Sequence, residues 1–187
     1  MAASATAIPE IVAKYESELL EEWIAAQLAA SSLRRDLMRD EDLRDQSRRF
    51  LQLFGASLRE TGALDASSAA WDPVRGFLDQ VSRSRARQGF SASETAMFVF
   101  SLKQPLFERL RAVGRDPQAV AEETWRASAL LDQLGLFTTE VHQKGREDVI
   151  ARQQQEMLEL STPVVQLWDG IVALPLIGTL DLSLIHI

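Results

Sequence analysis

The sequence predicts an all-α helical bundle of about five helices, a long C-terminal connecting helix, and then the first strands of an incomplete α/β domain. Three observations carry that reading. Apolar residues recur at three- and four-residue spacing from Ile11 to Val141, the mark of helices that each bury one face. Breakers punctuate the pattern at Ser31-Ser32, Gly62, Asp72-Pro73, Gly89 and Asp116-Pro117, where helices stop or start. After Thr162-Pro163 the pattern changes to short apolar runs on either side of Asp169-Gly170, a two-residue turn whose twist suits a hairpin.

The first helix is expected from about Pro9 to Ala30, because proline fits the opening turn and Ile11, Tyr15, Leu19 and Trp23 form one stripe with Ile24 and Leu28 beside it. Glu10, Lys14, Glu18, Glu21 and Glu22 occupy the other face. A second helix collects Leu43, Phe50, Leu51, Phe54 and Leu58 before Gly62 offers a left-handed stop. Residues 63–70 are small and polar and read as a loop. Asp72-Pro73 opens the third helix, which buries Val74, Phe77, Leu78 and Val81 and ends at Gly89. Arg75, Arg83, Arg85 and Arg87 lie on this helix with Asp79, and the acidity of the chain makes them a solvated face.

Ser91 and Glu94 have the spacing of a capping box, in which each side chain satisfies an unpaired amide at the helix start. The fourth helix, about Ala92 to Val113, is apolar on more than one side and is expected to be the most buried. Pro105 removes one backbone hydrogen bond, at a cost of about 3 kcal/mol in a regular helix, so a kink is expected near residues 101–105. Asp116-Pro117 opens the fifth helix, with Val120, Thr124, Trp125, Leu131 and Leu134 directed inward.

Leu130, Leu134, Phe137 and Val141 step by four, three and four, a heptad seam expected to meet a second copy of the chain. Lys144 and Asp148 end that register. Residues 144–159 are polar apart from Val149, Ile150, Met157 and Leu158, and form an exposed connecting helix partly covered by the second chain. The expected divisions are therefore 1–137 for a helical sensory and dimerisation domain, 138–162 for the connector, 163–181 for the start of the next domain, and 182–187 for a non-native tail.

A net charge of −7 and a pI near 4.9 argue against nucleic acid as a partner. Without cysteine there are no disulfides, no thiol chemistry and no thiolate metal sites. Residues 1–8 lack the pattern of a signal peptide, and no apolar run reaches the roughly 20 residues of a membrane helix. A cytoplasmic protein away from the membrane is expected.

Enzyme motifs are missing: no phosphate-binding glycine loop, no HExxH and no Gly-x-Ser-x-Gly occur. The adjacent carboxylates Glu21-Glu22, Asp40-Glu41-Asp42, Glu122-Glu123 and Glu147-Asp148 read as solvated surface rather than a converging catalytic pair. Neither a cofactor nor a metal is expected, and the chain reads as a non-enzyme. The competing reading is a small-molecule or haem-binding helical sensor. Against it, His142 is expected to face solvent outside the bundle, and Trp23, Phe54, Phe77, Phe98, Phe100 and Trp125 have the helical spacing of a packed core rather than a pocket.

The string Glu159-Leu-Ser-Thr-Pro163-Val, then Leu167-Trp168-Asp169-Gly170 and Leu174-Pro175-Leu-Ile-Gly178-Thr179-Leu-Asp181, resembles the entry into the STAS domain of RsbR-type stressosome proteins, the RsbT co-antagonists. The helices before it are similar to the variable N-terminal module of that family, the RsbRD type in particular. The resemblance implies a noncatalytic scaffold whose N-terminal modules dimerise, with RsbR-like paralogues, an RsbS-like STAS protein and a sequestered RsbT-like serine/threonine kinase as partners in a stress response. It also implies that the first phosphoacceptor directly follows Asp181, where this chain carries Leu182, which accepts no phosphate. Thr179 is inside the motif but is not the acceptor. The closing Leu182-Ser-Leu-Ile-His-Ile187 departs from the family, and a longer reading frame diverging after Asp181 is expected for the complete gene.

Overall fold

The structure is a computed structural model that describes residues 7–29, 37–61, 64–160 and 165–173. Two compact units divide the chain, Met1–Gly145 and Arg146–Ile187. In the first, helices α1 (Ile8–Lys14), α2 (Glu16–Ala29), α3 (Asp40–Thr61), α4 (Asp72–Gln88), α5 (Ala92–Phe100) and α6 (Lys103–Val113) precede α7, which runs from Pro117 to Leu160 and so continues into the second unit. The boundary expected after residue 137 therefore falls inside a continuous helix. A single 3₁₀ turn, Ala69–Trp71, leads into α4.

Helix α3 is the centre of the bundle and packs against α1, α2 and α4. Its expected stripe of Leu43, Phe50, Leu51, Phe54 and Leu58 is buried along its whole length. The rings of Phe50 and Phe98 meet Trp23 with centroids 5.5 and 5.0 Å away, and Phe54 meets Trp71 at 5.4 Å. Such ring pairs contribute about 0.5–1.5 kcal/mol each beyond the area they bury.

Two expected helices are each divided. The first bends at Tyr15, yet the Tyr15 amide still donates to the Ile11 carbonyl at 2.9 Å and the Leu19 amide to the Tyr15 carbonyl at 2.8 Å. The ladder thus passes through a bend rather than a break. The fourth is interrupted at Ser101-Leu102, so that α6 begins at Lys103 and Pro105 falls in its first turn, where a missing amide costs nothing. At the interruption the Ser101 hydroxyl donates to the Phe98 carbonyl at 3.0 Å and accepts from the buried Trp23 indole at 2.8 Å. Ser91 and Glu94 form both halves of the capping box.

Helix α7 absorbs the expected fifth helix and the connector. Ala127, Leu130, Leu131 and Leu134 belong to the core cluster. From Arg146 to Met157 every described side chain is exposed. In the second unit, β1 (Val165–Trp168) and β2 (Ile171–Ala173) pair antiparallel, Val165 opposite Ala173 and Trp168 opposite Ile171, with an irregularity between Gln166 and Trp168. Gly170 takes φ 80°, the left-handed conformation the turn requires. Pro163, Pro175, Gly178, Thr179 and Asp181, as well as the breakers at Ser31-Ser32 and Gly62, lie outside the described residues.

Glycine in mid-helix normally costs about 1 kcal/mol against alanine. At Gly135 of α7 there is a packing reason, since an added Cβ would overlap the Phe100 ring at the end of α5. Gly135→Ala is therefore expected to destabilise the bundle by about 1–3 kcal/mol despite its better helix propensity, read as a lower urea midpoint; a raised midpoint would refute the contact.

Candidate functional site

Two side chains that the sequence places on solvated surface are buried at one point. Arg85 of α4 is 3% exposed and His142 of α7 is 4% exposed. Both meet Phe90, in the turn between α4 and α5.

The turn is built by the end of α4. Gly89 adopts φ 93°, its amide donates to the Ala86 carbonyl at 3.2 Å, and the Phe90 amide donates to the Arg85 carbonyl at 3.0 Å. This is the Schellman arrangement, which needs a left-handed residue after the helix and usually uses glycine. It leaves the Phe90 carbonyl to accept from His142 Nε2 at 2.7 Å. Because a carbonyl only accepts, Nε2 carries the proton in this bond.

The Arg85 guanidinium lies 4.6 Å from the centroid of Phe98 and 5.5 Å from that of Phe90. Its Nη2 donates to Gln46 Oε1 of α3 at 2.9 Å and approaches the Met38 sulfur at 3.8 Å, while Nε has no partner among the described residues. No carboxylate among those residues pairs with it. Burial pushes the guanidinium down to about 10, with no opposing charge to offset the desolvation. At neutral pH the group stays charged, and the ring faces and Gln46 supply its compensation.

Arg85 thus ties α3, α4 and the α4–α5 turn together, and His142 ties that turn to α7 just before the helix becomes exposed. The arrangement contains no nucleophile beside a base. Among the described residues no group of three or more His, Asp or Glu side chains is placed to hold a metal ion.

Several sequence expectations are corrected here. The heptad seam is one: Leu130 and Leu134 are fully buried in the chain's own core, Phe137 packs against it and Val141 is buried. Within one chain the bundle already covers that stripe. Trp125, expected inward, is 75% exposed, because α7 turns Ala127, Leu130 and Leu131 to the core instead. His142 and Arg85 are buried rather than solvated. Of the other arginines, Arg75 bonds Asp72 and the Ala66 carbonyl, Arg83 pairs with Asp79 at 2.9 Å, and Arg87 is exposed. Trp23 packs on Phe98, and Phe50 packs on both Phe98 and Phe54, ring against ring. The signal for Arg85 was its spacing, three and seven residues beyond Ser82 and Leu78, on the buried stripe of α4.

If Arg85 is held by rings and one amide rather than by an anion, Arg85→Met should leave stability within about 1 kcal/mol of the parent or raise it. Gln46→Leu, which strips the last polar partner, should cost about 1–3 kcal/mol. Urea unfolding at pH 7 separates the two outcomes. With pH the sign is fixed. The folded pKa lies below the unfolded one, so the parent should keep a constant offset from Arg85→Met below about pH 10 and gain on it above that value.

The family model for the RsbT co-antagonist protein rsbRD N-terminal domain matches residues 17–157. No curated protein matches the chain. The match spans α2 to α6 and nearly all of α7, including Arg85, Phe90 and His142. It covers well over half of the sequence and agrees with the all-α bundle, and the chain accordingly belongs to the RsbT co-antagonist rsbRD N-terminal domain family, a family of regulatory proteins.

Proposed function

We propose that this protein is a noncatalytic component of a stressosome-type signalling scaffold. In this reading the bundle receives an input and α7 carries it toward the segment that follows. The observation that carries the reading is the extent of the family match, which takes in the buried bundle and the exposed length of α7 as one feature. Residues 163–181 are then the start of a STAS domain, as the resemblance of Pro163, Trp168, Asp169 and Gly170 to the family's entry string implies. The partners are RsbR-like paralogues, an RsbS-like STAS protein and an RsbT-like kinase, which the assembly sequesters.

A homodimer is part of the proposal, with its contact moved along α7. Val149, Ile150 and Met157 are 51, 48 and 72% exposed in a stretch that is otherwise polar. Spacings of seven and eight residues put them on one face of the helix. A second copy covering that face buries apolar surface worth about 25 cal/mol per Å².

Light scattering should report a dimer for the parent and a monomer for Val149→Glu/Ile150→Glu, with the thermal midpoint of the bundle unchanged. A monomeric parent at high concentration would overturn the dimer, and a dimeric variant would overturn the seam. For the scaffold itself, a reading frame carried through a complete STAS domain should co-elute with an RsbS-like protein and an RsbT-like kinase in a high-mass fraction. Kinase eluting apart from that fraction would sink the sequestration reading.

A further inference from the structure

The corner between α6 and α7 holds an open groove of about 650 Å³. That is within the roughly 300–1,000 Å³ of small-molecule sites. Phe107, Val120 and the exposed Trp125 give it apolar walls. Gly114 forms part of its floor, and an added Cβ there would collide with Val120, so the turn is closed as tightly as a glycine permits.

Two features point to the chemistry of an occupant. Thr124 lines the groove, and its Oγ1 is buried with no hydrogen-bond partner among the described residues. Leaving a buried hydroxyl unsatisfied is unfavourable, and a bound polar group recovers that cost. Arg111 and Arg115 also line the groove, and no carboxylate among the described residues pairs with either. The acidic groups nearby are engaged elsewhere. Glu122 and Glu123 pair with Arg126, Glu108 accepts from Gln104, and Asp116 accepts from the amides of Gln118 and Ala119. Arg111 and Arg115 thus present two guanidiniums beside an aromatic wall, with Glu108 and Asp116, which accept from neutral donors and keep their charge, close by.

We infer that the groove binds a small organic anion, its flat apolar body against Trp125 and Phe107 and its acidic group between Arg111 and Arg115. A ligand of this class gains charge-assisted hydrogen bonds from both guanidiniums. It also covers indole surface that is otherwise wet. The inference gives a ligand class to the input reading of the bundle, but binding is measured on the chain by itself. Failure of the scaffold assay would leave it intact, and its own failure would leave the scaffold intact.

The test compares two probes with the same ring system, anionic 8-anilinonaphthalene-1-sulfonate and neutral N-phenyl-1-naphthylamine, by fluorescence titration at low salt. The sulfonate should bind saturably at one site. Arg111→Gln/Arg115→Gln should weaken it by about tenfold or more while changing the neutral probe by less than about threefold. Trp125→Ala should weaken both. Far-UV circular dichroism melting establishes that each variant is folded. Should the glutamine pair melt early, Arg111→Lys/Arg115→Lys keeps the charge and is expected to retain binding within about threefold of the parent. Non-saturable binding, equal affinity for both probes, or indifference to the arginines would overturn the inference. So would self-association abolished by Trp125→Ala, which would make the groove a protein contact.

Discussion

The contact of Trp23, Phe50 and Phe98 sets the geometry on which the rest of the bundle depends. Three helices, α2, α3 and α5, must bring large rings to one place, and the buried indole N–H must find an acceptor there. Ser101 provides it at the point where α5 ends, so the interruption before α6 serves the core as well as accommodating Pro105. One face of Phe98 carries the Arg85 guanidinium. An aromatic cluster thereby fixes a helix break and hosts a cation that has no carboxylate partner among the described residues.

Helix α7 changes its role along its length. Near its start, one side lines the groove with Val120, Thr124 and Trp125. From Ala127 to Leu134 it is a core element. His142, through Phe90, is its last buried polar tie to the bundle, and from Arg146 its described side chains face solvent. All of these stretches belong to one helix by backbone hydrogen bonding.

Membership of a regulatory family agrees with what the residues offer chemically. The buried polar groups Arg85, His142, Gln27 and Ser47 are spent on holding helices together. The partly buried pairs Arg109–Glu22 and Lys103–Asp132 fix α6 against α2 and α7. Exposed pairs of this kind contribute little stability individually; their effect is on register. Among the described residues, the groove at the start of α7 and the side chains from Arg146 to Met157 stay uncovered by the bundle.

Much of the fold was legible in the one-dimensional pattern. The stripe of α3, the start of α4 at Asp72-Pro73, its stop at Gly89, the capping box at Ser91 and Glu94, and the turn at Asp169-Gly170 are local events, fixed by dihedral preference and by hydrogen bonds within a few residues. Periodicity gives the face of a helix but not what covers it. Leu130 and Leu134 have the spacing of a seam whether the partner is another chain or the chain's own helices, and only packing placed them in the core. Trp125 went outward for the complementary reason, because one face of α7 was already filled. Arg85 and His142 stand on buried stripes, and whether a polar residue there is tolerated depends on rings in the next turn and helix, on an amide 39 residues away and on a carbonyl 52 residues away. By itself, the sequence determined where helices begin, end and turn, since those choices are short-range. The tertiary structure decided which surfaces are spent inside the chain and which are left for others, because burial is settled by competition among all the faces at once.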